Sequence, residues 1–232
     1  MKNLHFIVQA KGGVGKSILM YLFALKHYQD PKCLFIDVDA STQTSTRQLK
    51  FVHQDQSDVA NLLDEKGLLI RDNLLAYLQS IAKEDFEDAY FDFGAPESEQ
   101  LPALIEYDIP LKDFAEGLGF EITFHIVIGG GGAYNPSIDY LLRMFDLVKT
   151  DFEIIVWQSM ATFRKFPHLT QELRENCKNS GLVFRRFGDF EPESFLGAEI
   201  LTGIRKGLAL DAYTIGPRLR LQRELQIHFA DV

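Results

Sequence analysis

Nine consecutive residues, Gln9-Ala10-Lys11-Gly12-Gly13-Val14-Gly15-Lys16-Ser17, hold three glycines, two lysines and a hydroxyl. That composition suits an anion with several oxygens. Glycines let successive backbone N–H groups curl around it without Cβ clashes, and a lysine adds charge. The spacing G-x-x-x-x-G-K-[ST] of a phosphate-binding loop is met from Gly15 to Ser17, with Ala10 where the first glycine usually stands. In such a loop Lys16 neutralises the β- and γ-phosphates of a nucleotide and Ser17 ligates Mg²⁺. The cradle comprises Gly12, Gly13, Val14, Gly15, Lys16, Ser17 and the first helical residue, Ile18.

A loop of this kind has to hang between a strand and a helix. Leu4 to Val8 is an apolar strand-like run, and Ile18 to His27 a helix-like one, apolar nearly all round to Leu25 as a helix buried under a covering layer would be. The helix aims the positive end of its dipole at the loop and ends near Asp30-Pro31. Cys33 to Ile36 reads as a second buried parallel strand, with Asp37-Val38-Asp39 at its carboxyl end. Ala89 to Phe93 reads as another, in which Asp92 would hold Mg²⁺ through water. Ligands of open α/β sheets bind beyond the carboxyl ends of the strands, so these acids arrive beside the loop.

The remaining segments supply the scaffold. Ser41 to Val52 and Asp58 to Ser80 have helix-compatible apolar spacing, and Leu101 to Leu118 reads as helical pieces interrupted at Pro102 and Pro110. Gly94-Ala95-Pro96, followed by Glu97-Ser98-Glu99-Gln100, could change backbone path on sensing a γ-phosphate, or could be an ordinary strand-to-helix turn. Phe120 to Ile128 is a strand entering the core, and His125 within it reads as a hydrogen-bonded core residue. The four glycines from 129 to 132 mark either close approach to nucleotide, switch or partner subunit, or a tight turn. Asn135-Pro136-Ser137 starts a helix with Asn as cap, Phe152 to Trp157 is a strand, and Leu182 to Phe184 is a last one. Helices over 195–210 and 218–229 follow, the second with Leu221, Leu225, Phe229 and Val232 on one face that packs on the domain. Alternating strands and helices predict an α/β fold, a mostly parallel doubly wound sheet with helices on both faces, in one domain over 1–232.

Lys11-Gly12-Gly13-Val14-Gly15-Lys16-Ser17 resembles the deviant Walker A motif of the ParA/MinD ATPases, and the segments 36–41 and 89–96 resemble their D-x-D switch and Walker B strand. The resemblance implies a P-loop NTPase fold, ATP and Mg²⁺ as ligands, and an ATP-dependent homodimer in which Lys11 reaches the partner's nucleotide. It also implies slow ATP hydrolysis stimulated by a partner protein. In these terms Lys11, Lys16 and Asp39 are catalytic, Asp39 positioning the attacking water. Ser17, Asp37 and Asp92 surround the metal, and Gln158 stands where the family has an adenine-contacting Asn. Ala40-Ser41 replaces the Pro-Gln common in partition ATPases. The runs His5-Phe6-Ile7-Val8-Gln9, His125 to Gly132 and Val156-Trp157-Gln158, with an Arg-rich C-terminus, resemble the ParA-like proteins of plasmid mobilisation, conjugal transfer and plasmid stability.

Composition narrows the alternatives. At 232 residues, 46% hydrophobic and 25% charged, the chain can bury a sizeable core. No run approaches the roughly 20 apolar residues of a membrane span, which with a start directly on a strand predicts a cytoplasmic protein without membrane attachment. Cys33 and Cys177 lack ligand spacing and read as buried thiols, against an iron–sulfur carrier of this fold. A metabolic ATP-dependent ligase of the dethiobiotin or cobyrinic acid type, and a nucleotide-binding scaffold without turnover, stay open. Net charge is −9, yet residues 164–232 carry 11 Lys and Arg against 9 Asp and Glu. Arg164, Lys165, Arg185, Arg186, Arg205, Lys206, Arg218, Arg220 and Arg223 could form one face for non-specific DNA, or a solvated mixed surface.

Overall fold

The computed structural model describes residues 1–38, 44–60, 62, 71–107 and 110–230. In chain order the elements are β1 (Lys2–Val8), α1 (Lys16–His27), β2 (Cys33–Asp37), α2 (Thr44–Gln48), β3 (Ser57–Val59), α3 (Arg71–Ile81), β4 (Asp88–Asp92) and α4 (Ala95–Tyr107). Then come α5 (Leu111–Leu118), β5 (Phe120–Ile128), α6 (Tyr134–Val148), β6 (Glu153–Ser159), α7 (Met160–Phe163), α8 (Pro167–Asn179), β7 (Val183–Phe187), α9 (Phe195–Lys206) and α10 (Ile215–His228). Among the described residues the seven strands form one sheet in the order β3-β2-β4-β1-β5-β6-β7, every neighbouring pair parallel.

Strand periodicity explains why both faces are covered. On β1, Leu4, Phe6 and Val8 pack into one core, while Ile7 packs into the other; on β6, Ile154 and Val156 divide from Ile155 and Trp157 in the same way. The first core is closed by α3, α4, α5, α6 and α8, the second by α1, α9 and α10. Helix α1 is buried from Leu19 to Leu25, which accounts for its apolar residues on all sides. Cys33 and Cys177 are both buried thiols.

Several boundaries differ from the sequence reading. Asp58 starts no helix: Ser57–Val59 is an edge strand in register with Phe35 to Asp37, so pairing to β2 prevails over a weak helical pattern. Pro102 does not interrupt α4; the rung that its missing N–H removes is offset by complete burial of Leu101 and Leu104 on either side. Asn135 is no cap, because a 3₁₀ turn at Gly131–Ala133 feeds directly into α6 at Tyr134. Leu221 and Phe229 pack on the domain as expected, with Leu225 half-buried, whereas Val232 lies outside the described residues. The opposite side of α10 exposes Ile215, Leu219 and Ile227. No helix of the described residues is long and apolar enough to cross a membrane.

Candidate functional site

Central strand β1 has β4 on one side and β5 on the other, and its carboxyl end runs straight into the glycine-rich loop. Gly15 caps α1 with φ 106°, a conformation that L side chains rarely adopt, and a Cβ there would lie 3.2 Å from Ser159 Oγ. The first turn of α1 has neither a capping side chain nor an acidic residue, so its N–H groups are left for an external acceptor. They open on a cleft of about 420 Å³ walled by Gly12, Gly13, Gly15, Lys16, Ser17 and Ile18, with Gln48, Asp92 and Pro96 opposite. Val14 is buried beneath the loop. Lys16 is buried as well, its Nζ donating to the Gln9 carbonyl at 2.9 Å.

Two of the strand-end acids, Asp37 and Asp92, converge as expected. Asp37 and Asp92 are register partners at the ends of β2 and β4. Ser17 Oγ donates to Asp92 Oδ2 at 2.7 Å, and Ser45 Oγ makes a short hydrogen bond to the same oxygen. Asp37 Oδ2 accepts from the Thr46 N–H at 2.7 Å and from Thr46 Oγ1 at 2.8 Å. Burial pushes the Asp92 carboxyl up to about 6, against the pull of the Lys16 ammonium and of the Ser45 and Ser17 hydroxyls. Among the described residues its second oxygen, Oδ1, is buried without a hydrogen-bond partner, and so is Gln48 Oε1 in the same wall. Buried polar atoms left unpaired are costly, and an acceptor of this kind suits a hydrated cation. Because Ser17 spends its proton on Asp92, its lone pairs stay available to a metal. These residues fit Mg²⁺ beside a triphosphate.

The glycine run is a floor under the loop. A Cβ on Gly129 would come within 2.8 Å of Val14 Cγ1, and one on Gly130 within 2.4 Å of the Thr162 carbonyl. The close approach that the sequence offered as one alternative is thus to the chain's own phosphate loop and to α7. Gln9, at 0% exposure, ties the loop to its neighbours: Nε2 donates to the Val127 and Ser137 carbonyls, and Oε1 accepts the Lys11 N–H at 3.2 Å. Ser98 accepts the Gln9 N–H at 3.2 Å. Ser45 and Thr46 carry no individual role in the sequence, and Gln9 and Ser98 enter there only as members of longer stretches. The hydroxyl-rich run just after Asp37-Val38-Asp39 was the available signal for two of them.

Other expected residues are more scattered. Lys11 is exposed and lines a separate cleft of about 310 Å³ with Glu99, Asp139, Tyr140 and Arg143. Gln158 lies within β6, buried, its Nε2 donating to Thr170 Oγ1 at 2.6 Å while Oε1 has no partner. Asp39, with Ala40 and Ser41, lies outside the described residues. His125 is a core residue, as expected, bonded to His5 and Trp157. The basic C-terminal third is partly neutralised: Arg164 bridges Asp189 at 2.6 Å and Glu191 at 2.7 Å, and Arg220 meets Glu224 at 3.4 Å. Lys165, Arg205, Lys206 and Arg223 are exposed.

Comparison with known proteins agrees with this geometry. No family model matches the chain. It is 26% identical over 174 residues to Protein TraL of Escherichia coli, an alignment covering 68% of this chain and 63% of that protein's length. A plasmid partition protein from Borrelia burgdorferi superposes with a TM-score of 0.50 at 14% identity, over 88% of this chain and 96% of the other. A chain of the MinC:MinD cell division protein complex of Aquifex aeolicus gives 0.53 at 12% identity, over 97% of each chain. The chain therefore has the all-parallel P-loop fold of the ParA/MinD type.

Proposed function

We propose that this protein is an ATP-dependent switch that dimerises on binding MgATP, hydrolyses it slowly, and positions DNA or a protein cargo in plasmid transfer or maintenance. The observation that carries the reading is the division of labour between the two loop lysines. Lys16 is buried at the phosphate cleft, while Lys11 stands exposed in a neighbouring one, where its own nucleotide gives it no task. The plasmid partition and MinD likenesses and the TraL relative support the positioning role.

The chain's own groups would divide the chemistry as follows. The N–H groups of the loop and of the first turn of α1 bind the phosphates, and Lys16 trades the Gln9 carbonyl for the β- and γ-phosphate oxygens. Ser17, Asp37 and Asp92 would hold Mg²⁺, which when bound would supply positive charge beside the phosphates. Asp39 orients the attacking water. Lys11 of each protomer meets the other's triphosphate in a site drier than either monomer's, where charge attraction is stronger than in water. A partner protein would complete this slow site. Direct contact with DNA would run through Lys165, Arg205, Lys206 and Arg223, since Arg164 and Arg220 are engaged by acids.

Sedimentation with ADP and with a non-hydrolysable ATP analogue tests the reading. Wild type should dimerise only with the analogue, and Lys11→Ala should bind it yet remain monomeric. Equal dimerisation of the two proteins would remove the trans-acting role.

A further inference from the structure

We infer that Ser45 and Thr46, in α2, are positioning residues that aim the metal-facing carboxylates, an inference that rests on the magnesium-nucleotide reading above. The hydrogen bonds around Asp92 are lopsided. Two hydroxyls, from Ser17 and Ser45, converge on Oδ2, while Oδ1 is buried and bare. Asp37 Oδ2 accepts from the backbone N–H and the hydroxyl of Thr46. A carboxylate turns freely about its last bond because that torsion has only a broad preference. Donors fixed on one oxygen remove the freedom and set the direction of the other.

These donors are themselves held from behind. Ser45 is 0% exposed, and its carbonyl accepts the N–H of Leu49, whose side chain is buried in the core beneath α1 together with Val52. On the far side Gly207 packs so closely that a Cβ there would come within 3.1 Å of the Arg47 carbonyl. The core and the end of α9 thus fix α2, and α2 fixes the acids before any cation arrives. Ser17 cannot do this alone, because its oxygen is also the group offered to the metal. Outer-shell partners of this kind carry about tenfold or more in metal affinity.

The test is a Mg²⁺ titration of binding of a fluorescent (mant) ATP, repeated in EDTA, on wild type, Ser45→Ala, Thr46→Val and Thr46→Ser. We expect Ser45→Ala to raise the half-saturating Mg²⁺ concentration about tenfold and Thr46→Val severalfold, since Thr46 keeps its N–H. Thr46→Ser should restore the wild-type value within about twofold, and affinity in EDTA should be unchanged in every variant. Electron paramagnetic resonance of bound Mn²⁺ reads the same loss without nucleotide turnover. A half-saturation unchanged in both Ser45→Ala and Thr46→Val, or an equal loss of affinity in EDTA, overturns the inference. Should Ser45→Ala fail to fold, the Thr46 pair decides alone. Wild type binding mant-ATP with no response to Mg²⁺ would overturn the underlying reading as well.

Discussion

Two buried polar clusters sit on the same central strands, and only one of them is complete. Beneath α1, Trp157 Nε1–H donates to His125 Nδ1 at 2.9 Å, so that nitrogen carries no proton. Burial holds the His125 pKa well below its ordinary value, so the neutral ring keeps its proton on Nε2 and donates to His5 Nδ1 at 3.0 Å. His5 Nε2–H then donates to Asp88 Oδ1 at 3.2 Å, which lowers the Asp88 pKa. Tyr90 stacks on His5 at 4.5 Å and closes the cluster. Each donor in this chain has its acceptor. At the mouth of the sheet, by contrast, Asp92 Oδ1 and Gln48 Oε1 are buried with none. A polar network that satisfies itself specifies a core, whereas one that ends on bare acceptors leaves room for a ligand.

The contrast breaks first where a group is taken from the complete cluster. His125→Ala leaves a cavity and strands the Trp157 N–H, so chemical denaturation should show a loss of about 3–5 kcal/mol. Nucleotide affinity of the folded fraction should stay within about twofold. Asp92→Asn should do the reverse, abolishing the Mg²⁺ dependence of ATP binding while raising the melting temperature by several degrees at pH 7.5. The sign follows from the pKa, which rises from its ordinary value of 3.8 to about 6 on folding: above pH 6 the folded protein bears the cost of a buried charge, and below about pH 4 it does not. The stabilisation should therefore fade as the pH is lowered through that window.

Gly129→Ala sharpens the comparison, since it disturbs the floor and not the donors. Its Cβ would press Val14 at 2.8 Å and Ala133 at 2.9 Å, costing about 1–3 kcal/mol and weakening nucleotide binding through the loop. The smallest effect is in wild type itself. Between pH 7 and 5, protonation of the unfolded His125 destabilises the fold, while neutralisation of Asp92 stabilises it. His125→Phe, which has no imidazole to protonate, should lose less stability across that range than wild type does.

The site was legible wherever the chemistry is local in sequence. Gly15-Lys16-Ser17 stands out by its spacing, and Asp37 and Asp92 announce themselves as acids at the ends of apolar runs. Groups acting across the fold were not legible. Ser45 and Thr46 meet Asp92 and Asp37 only because α2 folds back over the strand ends, and Gln9 joins β1 to β5 and α6 through contacts more than 100 residues apart. The short strand β3 was hidden for the same reason: Ser57, Asp58 and Val59 bury little and read as a strand only once β2 is beside them.

Lys16 and the bare acceptors around it should together form a magnesium-nucleotide site. Calorimetric titration of MgATP into wild type and Lys16→Ala measures that directly. Wild type should bind one equivalent per chain, tightened by Mg²⁺, and Lys16→Ala should lose about a hundredfold in affinity as its charged hydrogen bonds to phosphate disappear. Equal binding by the two proteins would contradict it.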